Sequence, residues 1–146
     1  MRMLFNLLIT LVVVYLIVVF LVYAGQSRLI YFPEIEQEIS NKPSAIGLDY
    51  TSVNMATADG ERLHGWWVSG PDAKGTVLFF HGNAGNISQR INYLSMFKRL
   101  GYNTLLFDYR GYGQSSGVPS ESGTYLDAQA GWRYLTEIQN ISPERI

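Results

Sequence analysis

An apolar run with no charged residue opens the chain, from Leu4 to Ala24, in which Asn6 and Thr10 are the only plainly polar side chains. At about 1.5 Å per residue, some 21 helical residues cross the roughly 30 Å hydrocarbon core of a bilayer. A helix also satisfies its own backbone amides there. No polar stripe marks a solvent face, which disfavours the core helix of a soluble domain. A cleaved signal sequence is the rival reading, with Val22–Ala24 before the cleavage point, but a signal's apolar stretch is usually about 7–15 residues. The pattern predicts a single transmembrane anchor over 1–25. A linker or irregular lead-in follows over 26–48, with Pro33, Pro43, Gly47 and the acidic Glu34, Glu36 and Glu38. The folded domain spans 49–146.

From Asp49 the texture changes. Tyr50–Ala56 alternates, placing Thr51, Val53 and Met55 on one side, and Thr57–Gly60 is a turn signal before a second strand at Arg62–Val68. Together they predict a β-hairpin. Trp66 and Trp67 are neighbours on that strand, so they face opposite ways, both as packing residues. Thr76–Phe80 is a continuous apolar run of the kind covered on both faces. Ile87, Ile91, Leu94, Phe97 and Leu100 recur at helical spacing, closed by Gly101. Tyr102–Phe107 reads as a strand and 108–120 as a glycine-rich loop. Tyr125, Ala128, Trp132, Leu135 and Ile138 mark a second amphipathic helix, capped by Ser120 or Ser122. A hairpin followed by strand-helix-strand-helix is the α/β class, with right-handed crossovers.

Charge and composition narrow the chemistry. A net charge of -1 and the lack of a basic run argue against a nucleic-acid partner. With no cysteine there is no disulfide, CxxC or thiolate metal site, and His64 and His81 have no metal-ligand spacing. No cofactor is expected. "GYGQSS" approaches a dinucleotide fingerprint, but Ser116 stands where the third glycine belongs. "NIS" at 86–88 and at 140–142 matches the glycosylation sequon. Arg2 and the α-amino group precede the anchor and Arg28 follows it, a bias that places the membrane protein's folded domain on the non-cytoplasmic side.

The stretch "FFHGNAGNIS" at 79–88 places a small polar loop directly after an apolar strand. In α/β sheets the chemistry sits at such carboxyl ends. Gly82 and Gly85 permit backbone conformations and close approaches that a Cβ blocks. A turn of this kind aims N–H groups into a cleft, where an oxyanion donor contributes about 3 kcal/mol. "FFHGNAGN", a helix, and then "FDYRGYGQSSGVPSESGTYLDAQA" together resemble the N-terminal half of an α/β-hydrolase. The chain is similar in particular to the membrane-anchored group called BEM46-like or ABHD13-like, from about Arg28 to the C-terminus.

That resemblance implies a serine hydrolase cleaving an ester, thioester or amide through a Ser-His-Asp triad. Carried over residue by residue, the backbone N–H of Asn83 is an oxyanion donor, and His81, Gly82 and Gly85 support its loop. The family's nucleophile elbow follows a later strand; the one G-x-S-x-G match in the 146 residues, Gly113–Gly117, lies in the glycine-rich loop and not at a strand-to-helix elbow, and the family's acid and histidine follow later still. No catalytic residue is therefore expected within this chain. The chain is expected to be the N-terminal fragment of a longer enzyme, inactive alone, with a bilayer contacting residues 4–24 and a small-molecule or acyl substrate. The alternative is a non-catalytic truncated product or a membrane-bound interaction module. A module of this form leaves the apolar Thr76–Phe80 strand as an open edge, which invites aggregation. A third option keeps the scaffold with dehalogenase or peroxidase chemistry.

Several residues invite catalytic roles and have plainer ones. His81 buttresses its loop, since triad order places the histidine last. His64 is structural or exposed. Ser115 and Ser116 lie in a glycine-rich turn and lack a nucleophile elbow. Asp108 ends a strand and packs, and Arg110 pairs with Asp127 or Glu121.

Overall fold

The computed structural model describes residues 1–33 and 38–146. Glu34 and Glu36 of the acidic lead-in lie outside the described residues. The chain divides into two units, Met1–Tyr31 and Phe32–Ile146.

The first unit is one helix, α1 (Arg2–Ile30). Among the described residues it is the one helix long and apolar enough to cross a membrane. Thr10 Oγ1 donates to the carbonyl of Asn6 at 3.0 Å, so this hydroxyl is satisfied within the helix itself. The helix runs beyond Ala24 to Ile30, so 26–30 are helical where the sequence suggested a linker. Arg28 in the last turn suits the negative end of the helix dipole. Tyr31 is extended, two residues before Pro33.

The second unit begins with a lead-in holding one 3-10 turn, Pro43–Ile46. Its main elements are β1 (Thr51–Ala56), β2 (Arg62–Val68), β3 (Thr76–Phe80), α2 (Ile91–Leu100), β4 (Asn103–Phe107) and α3 (Glu121–Arg133). Among the described residues they form a four-stranded mixed sheet in the order β1-β2-β4-β3. β1 and β2 make the antiparallel hairpin, with Val53 opposite Gly65. β2 and β4 are antiparallel, with Trp67 opposite Leu105, while β4 and β3 are parallel, with Leu105 opposite Leu78.

The twofold period of the strands divides the core. Val53, Met55, Leu63, Trp67, Leu105 and Phe107 face Ala130 and Leu135 of the C-terminal helical segment. Trp66, Val68 and Leu106 face Ile87 and Leu94 on the other side. The two tryptophans therefore do face opposite ways, each in its own cluster. Thr51 does not join Val53 and Met55 in the core and is exposed.

Helix α2 follows the predicted stripe in part. A 3-10 turn at Ile87–Arg90 leads into it, Leu94 is buried, Ile91 and Phe97 are half-buried, and Leu100 is 52% exposed. Gly101, at φ +84°, closes it, and Tyr102 N–H donates to the carbonyl of Phe97 at 3.0 Å. This is the left-handed C-cap that glycine adopts without a Cβ penalty.

Helix α3 departs from the predicted stripe. Tyr125, Trp132 and Ile138 are exposed, and the buried face carries Gly123, Asp127, Ala130 and Gly131. Small residues bring the helix close to the sheet. A Cβ on Gly131 would stand 3.1 Å from Leu78 Cδ1 and 3.2 Å from Phe107 Cε1. Hydrophobic periodicity cannot register a contact face built of glycine, alanine and one carboxylate. Ser120 caps the helix, accepting from Gly123 N–H at 3.1 Å. Residues Tyr134–Ile138 continue it as a π turn.

β3 lies at the sheet edge. Phe80 is 44% exposed. An apolar groove of about 570 Å³ runs along the strand, lined by Val77, Leu78, Phe80, Ala128 and Trp132 among others.

Candidate functional site

Because β3 and β4 are parallel, the loops that follow them emerge side by side at one end of the sheet. His81 directly follows β3 and is buried, and its Nδ1 donates to the carbonyl of Gly82 at 2.8 Å. The rings of Tyr109 and Tyr112 flank it at 4.9 and 5.8 Å between centroids. Gly82, Asn83 and Ala84 form an exposed rim above it.

The glycines of this loop play different parts. Gly85 has a φ of +69°, and a Cβ there would collide with the side chain of Gln89. Gly82 needs neither feature expected of it. It has no left-handed φ, and an added Cβ would meet nothing within 4 Å. The other left-handed residue is Ala84, at φ +68°, which the sequence did not reveal. Arg90 Nη2 holds the Ala84 carbonyl at 3.0 Å.

Asn83 is a hub. Its Oδ1 accepts from Ala84 N–H at 2.9 Å, from Tyr112 O–H at 2.8 Å and from Phe32 N–H at 3.2 Å. Asn86 caps the next turn, its Oδ1 accepting from Ser88 N–H at 2.9 Å while its Nδ2 donates to the Glu38 carbonyl at 3.2 Å. At 1% exposure, the sequon at 86–88 is closed to modification in the folded chain. Asn140 of the other sequon is exposed.

Asp108, fully buried at the end of β4, ties the two loops together. Its Oδ1 accepts from Ile87 N–H at 2.9 Å and lies 3.4 Å from His81 Nε2. Asp108 Oδ2 and His81 Nε2 have no hydrogen-bond partner among the described residues. Gly113, at φ +51°, closes over the carboxylate, and a Cβ there would collide with Oδ2. Asp108 thus packs between the two loops, and the buried His81 ring lies beside it under the exposed 82–84 rim.

The glycine-rich loop 108–120 is sewn to β2. Ser115 Oγ donates to the Asp108 carbonyl at 2.7 Å and accepts from His64 N–H at 2.9 Å. Ser116 Oγ accepts from Arg62 N–H at 2.8 Å and donates to Glu61. Both serines hold a turn. His64 is buried, with Nε2 3.0 Å from Ser52 Oγ, and burial pushes its pKa below the usual value.

Arg110 is clamped by two carboxylates. Its backbone N–H and Nε donate to Asp127, each at 2.9 Å, and its Nη1 and Nη2 reach Asp59 at 2.7 and 3.1 Å. The sequence named Asp127 or Glu121 as partner. Asp127 is one, Glu121 instead accepts from Tyr125 O–H at 3.2 Å, and Asp59 was missed. Asp59 lies on the hairpin turn, so only the folded sheet brings it near. The Arg110 donors hold the Asp59 carboxyl well below the ordinary range, and Asp59 in turn raises the guanidinium. Burial pushes the Asp127 carboxyl up, against the pull of the same arginine. Among the described residues no three His, Asp or Glu side chains converge as a metal site.

A mixed sheet with helices on both faces, and with its loops gathered where β3 and β4 end, has the architecture of an α/β-hydrolase half-domain. Comparison with known proteins agrees. No family model matches the chain. It is 37% identical over 132 residues to the alpha/beta hydrolase domain-containing protein WAV2 of Arabidopsis thaliana, covering 86% of this chain and 43% of that protein. It is 33% identical over 131 residues to protein bem46 of Schizosaccharomyces pombe, covering 85% and 44%. Among solved structures, an esterase of Pyrococcus furiosus matches with a TM-score of 0.63 and 26% identity, over 80% of this chain and 43% of that one. An alpha-beta hydrolase from Vibrio vulnificus matches at 0.59 and 30%, over 68% and 34%. The chain belongs to the α/β-hydrolase superfamily, as a BEM46-like member. It spans less than half the length of the curated relatives named here.

Proposed function

We propose that these 146 residues form the oxyanion-loop half of a membrane-anchored serine hydrolase that cleaves an ester, thioester or amide. The observation that carries this reading is the placement of Gly82–Asn83. The pair is exposed at the carboxyl end of β3 and is held from beneath by buried His81 and Asp108. When a nucleophile attacks the acyl carbonyl, negative charge develops on its oxygen. A fixed backbone N–H at Asn83 stabilises that charge without reorganising. The second N–H belongs to the residue after the nucleophile. The nucleophile, base and acid are assigned to sequence outside these residues, since the one G-x-S-x-G match, Gly113–Gly117, lies in a loop rather than at a strand-to-helix elbow, with Ser115 buried and bonded to the Asp108 carbonyl and His64 N–H. Helix α1 supplies the anchor, with the catalytic domain on the non-cytoplasmic side.

The test is fluorophosphonate labelling and ester turnover of the whole gene product, including any continuation past Ile146. Labelling is expected there and absent from the 146-residue chain alone. Asn83→Pro removes the N–H and should lower kcat about 10²–10³-fold. Asn83→Ala keeps the N–H, so the difference between the two variants isolates the donor. A whole gene product that takes no label and turns over no ester would instead be a non-catalytic membrane-bound module.

A further inference from the structure

We propose that Tyr112 is a positioning residue of the acyl-transfer site, its hydroxyl fixing the direction in which the Asn83 N–H points; this rests on the hydrolase reading above. The peptide unit between Gly82 and Asn83 carries that N–H. A trans peptide is planar, so its carbonyl and its N–H point opposite ways. The Gly82 carbonyl accepts from His81 Nδ1 at 2.8 Å, and the His81 ring is buried. The carbonyl is therefore drawn toward the buried ring, and the Asn83 N–H is turned away from it. One hold still leaves the plane able to rock, because the φ of Asn83 can turn.

The second hold is on the Asn83 side chain. Its Oδ1 accepts from Tyr112 O–H at 2.8 Å, from Ala84 N–H at 2.9 Å and from Phe32 N–H at 3.2 Å. Ala84 moves with the loop and fixes it to nothing outside. The Phe32 N–H is the longer tie and is shared with the Tyr112 hydroxyl, also at 3.2 Å. Tyr112 belongs to the separate loop after β4 and is itself immobilised. It is 2% exposed, its N–H donates to the Tyr109 carbonyl at 3.0 Å, and its carbonyl accepts from Ser115 N–H at 2.9 Å. Its ring meets His81 edge-on at 5.8 Å. A tyrosine has two side-chain torsions, so a ring packed this way delivers its hydroxyl to a set point. His81 thus holds the peptide at its carbonyl, and Tyr112 holds the residue that follows. The N–H between them is set before substrate arrives, which is what makes an oxyanion donor effective.

In the whole gene product, Tyr112→Phe deletes the hydroxyl and keeps the buried ring. For a soluble ester, kcat should fall about tenfold with KM unchanged, the signature of an interaction realised in the transition state. Asn83→Ala, which keeps the N–H and removes Oδ1, should lose a similar factor, and the double variant should be no slower than Asn83→Ala. Affinity for a trifluoromethyl ketone, which a serine nucleophile converts to a tetrahedral oxyanion, should fall in step with kcat/KM. A loss carried by KM instead, or losses that multiply in the double variant, overturns the proposal. A second measurement needs no turnover. With 15N-asparagine in the same protein, and Asn83→Ala to assign the resonance, the Asn83 backbone amide should shift and exchange its hydrogen severalfold faster in Tyr112→Phe. An unchanged amide overturns the proposal. Absence of turnover in the wild type would strike the hydrolase reading and the catalytic role with it, while the amide would still report the tie. Undiminished turnover in Tyr112→Phe would strike the positioning role and leave the hydrolase reading intact.

Discussion

Arg110 crosses the first turn of α3 so closely that a Cβ on Gly123 would stand 2.5 Å from its Cδ and 2.6 Å from its Nε. The glycine is thus the gap through which the guanidinium reaches Asp127 and Asp59. Alanine is the better helix former by about 1 kcal/mol. Overpacking costs about 1–3 kcal/mol, and Arg110 is held on both sides and has nowhere to move. Gly123→Ala should therefore lower the stability of the folded unit by about 1 kcal/mol, read from the midpoint of denaturant unfolding in detergent. A raised midpoint would mean that the arginine gives way.

Removing the arginine should do more. Asp127 is fully buried, and Arg110→Ala leaves its carboxylate without a counter-charge. Stranding one member of a buried pair costs about 3–5 kcal/mol. Arg110→Lys keeps the charge but not the fork that spans two carboxylates, and should fall between wild type and Arg110→Ala. Adding Asp127→Asn to Arg110→Ala should recover part of the loss. The same unfolding experiment ranks the four proteins.

The pH dependence has two steps. His64 is depressed below 6.5 by burial, so the unfolded chain takes up its proton first and stability declines as pH falls below that value. Asp59 is depressed below 3.8 by the Arg110 donors, so its contribution is present above 3.8 and is lost as pH falls through the folded value. His64→Gln should remove the first step, and Asp59→Asn the second. Unfolding midpoints from about pH 8 down to about pH 1.5 would show whether each variant flattens its own part of the curve.

Ala84 occupies the left-handed region at φ +68°. That conformation costs an L-residue about 1–2 kcal/mol, whereas glycine loses about 0.5–1 kcal/mol in chain entropy. Ala84→Gly should stabilise the fold by about 0.5–1 kcal/mol. Ala84→Val, with a branched side chain in the same conformation, should destabilise it. Differential unfolding of the pair checks the sign.

Most of the frame was legible because it rests on strict periods. Val53 and Met55 alternate into the core, Trp66 and Trp67 part to opposite faces, and Gly101 stops α2. The position of His81–Asn86 after an apolar strand was legible for the same reason. What the sequence concealed depends on packing rather than pattern. Helix α3 docks through Gly123, Asp127, Ala130 and Gly131, which carry no hydrophobic signal. Asp59 meets Arg110 only once the hairpin has folded, and Phe32 reaches Asn83 across a sequence separation of 51 residues. Ala84 shows no sign in its residue type of the conformation it takes.

The adjacent tryptophans give the sheet two optical channels. Trp66 meets Tyr50 edge-on at 5.8 Å on the α2 side, and Trp67 meets Tyr134 at 6.5 Å on the α3 side. Their excited states are coupled to different aromatic partners, so each contributes its own near-ultraviolet circular dichroism band. In Trp66→Phe and Trp67→Phe variants made on a Trp132→Phe background, the one surviving tryptophan band follows one face of the sheet. A single dipeptide thus lets the loosening of the two helical layers be timed separately.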